Sequence, residues 1–92
     1  MLNSPNYLVV PDGTEVICKQ CYKEKTIERV FIPKSVKEIQ DSAFEDCENL
    51  REVIFEEGSA LKKIGESAFR NCSRLKNISL QDGLEYIGKY CF

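Results

Sequence analysis

Two cysteines three residues apart, in Cys18-Lys19-Gln20-Cys21, form the stretch of this 92-residue chain whose residue types and spacing come nearest to chemistry. A C-x-x-C pair can act as a thiol–disulfide couple or supply half of a tetrahedral zinc site. Zinc needs four ligands, and the sequence contains no histidine and no second C-x-x-C. Five cysteines make a complete intramolecular disulfide set impossible. Cys18 and Cys21 therefore read as small structural thiols, buried or half-buried, with a disulfide or a weak metal role as the alternatives. Cys47, Cys72 and Cys91 read as buried free thiols, which behave as small hydrophobes.

Other chemistry is thinner still. Without histidine the commonest general base is missing. Asp41 and Glu66 share one place in the repeat, as do Ser42 and Ser67, and with Glu45 and Asp46 at repeat positions beside them they read as scaffold and solvated surface. There is no G-x-x-x-x-G-K-S/T loop and no dinucleotide fingerprint. The sequence thus predicts no catalytic, cofactor-binding or metal-binding residue, no cofactor and no enzyme.

Composition narrows the class. The chain is 42% hydrophobic and 30% charged, as for an ordinary folded domain. A net charge of −2 with interleaved signs argues against a nucleic-acid surface, which needs a clustered basic face. Tyr7 to Val10 and Val30 to Ile32 are the longest apolar runs, too short to cross a membrane. Met1 to Asn6 has no signal-peptide pattern. That places the chain in the cytoplasm if it is complete, and leaves the cell surface or secretion open if it is cut from a longer protein.

The elements that position these residues are copies of one unit. Ile64-Gly65-Glu66-Ser67-Ala68-Phe69-Arg70-Asn71-Cys72 through Ile78 repeats Ile39 through Val53, on the skeleton I-x-x-S-A-F-x-x-C-x-x-L-x-x-(V/I). Partial copies begin at Ile17 and Ile87, so the steps are 22, 25 and 23 residues (39−17, 64−39, 87−64). Such a period is the mark of a solenoid. We read a single domain over 1–92, with partial copies at 6–29 and 78–92 and fuller copies at 30–52 and 53–77.

Within each copy L-x-x-V-x-(I/L/F) predicts a strand, with Val30/Ile32, Val53/Phe55 and Ile78/Leu80 facing inward. A turn follows, longest at Glu56-Glu57-Gly58-Ser59. Val36/Ile39, Leu61/Ile64 and Leu84/Ile87 then mark a short extended segment. Asp41 to Cys47 and Glu66 to Cys72 are expected to be helices of one or two turns, with acid and serine at their starts. Ala43, Phe44 and Cys47, like Ala68, Phe69 and Cys72, would be their buried edge.

This skeleton resembles the BspA-like leucine-rich repeat family, of about 23-residue repeats (type 5). The residues that carry the likeness include Ile32-Pro33, Val36, Ile39, Ala43-Phe44, Cys47 and Leu50. Phe55, Leu61, Ile64-Gly65, Ala68-Phe69, Cys72 and Leu75 continue it, followed by Leu80, Leu84, Ile87-Gly88 and Phe92. The resemblance implies an α/β repeat solenoid: a right-handed coil with a parallel sheet on one face and short helices or turns on the other. It also implies a non-catalytic role in protein binding, with adhesion at the cell surface the usual suggestion.

The outward face of the predicted sheet is the candidate binding face. Its central column is Val9, Phe31, Ile54 and Ser79. Beside it run Glu28, Arg51 and Lys76, and next to those Arg29, Glu52 and Asn77. An apolar stripe flanked by mixed charge suits a protein partner of unknown identity, with no nucleic acid and no membrane insertion. The alternative is a structural segment of a longer repeat array with no activity of its own. The copy ending at Phe92 has no polar cap, so self-association through the repeat ends is also expected.

Overall fold

Parallel strands stacked one per repeat build the molecule. The computed structural model describes residues 6–78, 80 and 83–92. The L-x-x-V-x-(I/L/F) segments supply β1 (Tyr7–Val9), β3 (Arg29–Ile32), β5 (Glu52–Phe55) and β7 (Asn77–Ile78). These pair in the order β1-β3-β5-β7, all parallel. The short extended segments supply β2 (Val16–Ile17), β4 (Glu38–Ile39), β6 (Lys63–Ile64) and β8 (Tyr86–Ile87), which make a second parallel sheet in the order β2-β4-β6-β8. Its register aligns Ile17, Ile39, Ile64 and Ile87. The repeat step in the sequence is therefore one turn of a β-solenoid of about three turns.

Alternation works as the strand patterns require. Val30 and Ile32 are fully buried and Val53 nearly so, while Arg29 is exposed and Phe31 and Ile54 are half-buried. Phe55 and Ile78 pack against the core only in part. Leu80, expected inside, is exposed, because its turn has a stacked neighbour on one side only among the described residues.

The expected helices are absent: among the described residues there is no helix. Two features replace them. Gln20, Ser42, Ser67 and Tyr90 share one register position, Glu24, Asp46 and Asn71 another, and all seven have left-handed φ between 58° and 64°. A right-handed helix cannot run through such residues, and of their side chains Asp and Asn tolerate the conformation better. Alternate amides also leave the segment to bond to the next turn. Ser42 N–H donates to Glu66 O (2.9 Å), Phe44 N–H to Ala68 O (2.8 Å) and Asp46 N–H to Arg70 O (2.8 Å). The same pattern links Tyr22 to Ala43 and Phe69 to Cys91, both at 2.9 Å. An intrahelical partner would have to displace these bonds. The carboxylate expected at a helix start does the same, since Asp41 Oδ1 accepts from Glu66 N–H in the next turn (2.9 Å).

Burial followed the sequence even where conformation did not. Ala43, Phe44, Cys47, Ala68 and Phe69 all sit in one continuous core with the strand residues. Tyr22, Phe44, Phe69 and Phe92 stack ring on ring along the solenoid axis, at 5.3, 5.3 and 5.6 Å between centroids. Glycine is required where the turns approach closest. A Cβ on Gly65 would lie 2.6 Å from Asp41 N, and one on Gly88 would lie 2.5 Å from Glu66 N.

Candidate functional site

The outward side of the β1-β3-β5-β7 sheet gathers most of the residues singled out above. Parallel register sets Val9 beside Phe31 and Phe31 beside Ile54. Val9 is exposed, and neither Phe31 nor Ile54 belongs to the core or packs against it. Ser79 lies outside the described residues. Main-chain bonds fix the next column, with Arg51 N–H donating to Glu28 O (2.9 Å) and Lys76 N–H to Arg51 O (3.5 Å). Arg29, Glu52 and Asn77 form the third column through the strand register.

Charges in these columns pair between turns. Arg29 Nε lies 3.4 Å from Glu52 Oε1, and Arg51 Nη2 lies 3.5 Å from Glu28 Oε1. All four side chains are well exposed, so each pair contributes little to stability. Beyond them the sign balance fails. A concavity of about 520 Å³ is lined by Arg29, Arg51, Glu52, Arg74 and Lys76. Sequence reasoning found four of these and missed Arg74, which precedes the strand by three residues. The signal was the register itself, since Thr26, Asn49 and Arg74 share a column that turns basic only in the third copy.

The cysteines divide into two kinds. Cys18 and Cys21 are exposed and joined in a disulfide across a Cα–Cα distance of 5.3 Å. This corrects the reading of both as buried or half-buried structural thiols. The register partners of Cys21, namely Ala43, Ala68 and Cys91, are buried beneath a preceding turn, and no described turn stacks on the outer side of Cys21. The turn at Gln20, with its left-handed φ of 59°, brings the pair together.

Cys47, Cys72 and Cys91 are free and buried. Two of them bridge turns: Cys47 Sγ donates to Tyr22 O (3.0 Å) and Cys72 Sγ to Phe44 O (3.2 Å). Burial pushes all three thiols upward, that of Cys72 to about 12 and that of Cys91 to about 11. Thiols held protonated are poor nucleophiles and poor metal ligands. Among the described residues no group of three or more His, Cys, Asp or Glu is placed to hold a metal ion. No helix there is long and apolar enough to cross a membrane.

Residues 3–92 match the family model described as BspA type leucine rich repeat region (6 copies). No curated protein matches the chain. Two solved structures are similar. A leucine-rich repeat protein from Bacteroides capillosus ATCC 29799 superimposes with a TM-score of 0.83 at 29% identity, over 94% of this chain and 68% of that one. A leucine rich cell surface protein from Faecalibacterium prausnitzii A2-165 gives 0.81 at 26% identity, over 97% of this chain. This chain spans 28% of the length of that second protein.

Proposed function

Because the chain belongs to the BspA-type leucine-rich repeat family, we propose that it is a non-catalytic protein–protein interaction module whose binding surface is the outward side of the β1-β3-β5-β7 sheet. One observation carries this reading. Val9, Phe31 and Ile54 stand in register on that side, outside the core, with charged columns beside them. Apolar groups ringed by charge supply both the burial and the steering that association needs. Surface recognition is the proposed setting, supported by likeness to a cell surface protein. The test is a cross-linked capture from source cells, comparing the native chain with a Phe31→Asp, Ile54→Asp variant checked for folding by circular dichroism. Loss of a specific partner by the folded variant is the expected result. Retention of that partner would refute the assignment of the face.

A second reading, that the chain acts as one segment of a longer stack, is favoured by a different observation. Tyr86 and Ile87 of β8, with Tyr90 and Phe92 after it, form an exposed apolar end. An edge of this kind is a template for pairing with a further turn or a second chain. Sedimentation tests it: Phe92→Asp would lower self-association, and the sheet-face variant would not.

A further inference from the structure

The chain as a whole is slightly acidic, with 13 Lys and Arg against 15 Asp and Glu. A strongly basic concavity therefore stands out, because four cations line it and Glu52 is the only carboxylate among the lining residues. The register shows how it arises. In the first two full turns the columns alternate in sign, Glu28 beside Arg51 and Arg29 beside Glu52, and each pair is within 3.5 Å. The third turn breaks the alternation. Lys76 follows Arg51 directly in its column, and Arg74 enters beside it. Among the described residues, neither Arg74 nor Lys76 has a carboxylate within ion-pair distance. Like charges placed opposite one another on neighbouring strands repel, unless an anion lies between them.

The surroundings limit what that anion belongs to. Arg29 and Phe31 lie two residues apart on β3, and Glu52 and Ile54 two apart on β5, so each pair points to the same side of the sheet. The basic concavity thus opens next to the uncovered apolar column. A ligand filling both needs negative charge and an apolar side chain a few ångströms away. An acidic peptide has both, and arginine's planar fork matches a carboxylate in two-point contact. A sulfated polysaccharide would satisfy the cations and leave Phe31 and Ile54 bare.

We propose that this concavity is an acidic-peptide subsite: Asp or Glu side chains of an extended partner segment engage Arg51, Arg74 and Lys76, while an apolar residue of the same segment covers Phe31 and Ile54. The inference rests on the sheet face being the interaction surface. Arg29 serves as a further donor, shared between Glu52 and the incoming carboxylates. Glu52 at the edge of the site disfavours a carboxylate placed over it, which sets the direction in which the acidic stretch must lie.

The test uses the whole chain and a fluorescent synthetic peptide in which Asp and Glu alternate with Leu and Phe. The controls are the same peptide with Asn and Gln in place of the acids, an all-acidic peptide, and heparin. Anisotropy at low salt should show binding of the acidic-apolar peptide that weakens at least about tenfold in the amide version and falls as salt rises. An Arg74→Glu, Lys76→Glu variant should lose at least about tenfold in affinity with its circular dichroism unchanged, since both residues are exposed. No binding of the peptide, equal binding of the amide version, or an unaffected Arg74/Lys76 variant would overturn the proposal. Heparin binding that ignores Phe31→Asp and Ile54→Asp would also overturn it, in favour of a glycan. A captured partner lost by the Phe31/Ile54 variant and kept by the Arg74/Lys76 variant would remove the acidic subsite while the sheet-face reading survives.

Discussion

Replacing Phe44 with leucine should cost far more stability than the same change at Phe92, although the two occupy one register position and belong to one stack of rings. Phe44 is fully buried, with Tyr22 on one side and Phe69 on the other, each 5.3 Å away and within 16° of parallel. Phe92 is 59% exposed and touches one ring, that of Phe69. An aromatic pair contributes about 0.5–1.5 kcal/mol beyond the area it buries, so Phe44→Leu gives up about 1–3 kcal/mol from its two pairs. Full truncation, Phe44→Ala, adds a cavity and should cost about 3–5 kcal/mol, a large part of the roughly 5–15 kcal/mol that holds a domain folded. Phe92→Leu should cost about 1 kcal/mol or less, having one pair to lose and little buried area. Urea unfolding followed by circular dichroism reads the difference. With a slope of about 1 kcal/mol per molar, Phe44→Leu should lower the midpoint by about 1–3 M and Phe92→Leu by about 1 M at most. Equal shifts for the two variants would refute the claim that stability concentrates in rings enclosed by turns on both sides.

Other consequences can be checked alongside. Gly65→Ala puts a methyl group within 2.6 Å of the Asp41 amide nitrogen, so the turns must separate, and a loss of about 1–3 kcal/mol is expected in the same urea assay. Gly13→Ala has open space around it and only a left-handed φ of 88° to strain it, so its loss should be about 1–2 kcal/mol. Iodoacetamide after mild reduction in native buffer should label the exposed Cys18 and Cys21 well before Cys47, Cys72 or Cys91, as peptide mapping would show; uniform labelling would contradict the burial of the last three. Cys72 is raised from 9.0 to about 12 by burial, so the folded state favours its neutral thiol. Its contribution is complete below about pH 9 and is lost as the pH climbs toward about 12, so the urea midpoint of Cys72→Ala should fall less steeply over that range than that of the native chain.

Much of the architecture was legible because a repeat states its register twice. Once I-x-x-S-A-F-x-x-C-x-x-L aligned with itself, the columns Val9/Phe31/Ile54 and Glu28/Arg51/Lys76 followed, and the strand pairing places them as aligned. The buried identities of Phe44, Phe69, Cys47 and Cys72 also followed, because burial depends on which residues are apolar at a recurring position. The helices expected at Asp41–Cys47 and Glu66–Cys72 did not form, although their local residues suit a helix start. Arg74 escaped notice because its column carries Thr26 and Asn49 in the earlier turns, and only stacking shows that the third turn turns basic beside Lys76.

The sequence alone determined the period, the register and which side chains leave water in the turns that are stacked on both sides, since these depend on composition at fixed spacing. Tertiary structure decided what each backbone amide bonds to. In the segment after each short strand, a stacked neighbour offers carbonyls at 2.8–3.2 Å to alternate amides, and that outcompetes the few bonds a one-turn helix could make. The same stacking decided the fate of the cysteines. Those packed against a preceding turn stay protonated and free, and Cys18 and Cys21, with no described turn stacked before theirs, meet at the surface and bond to each other.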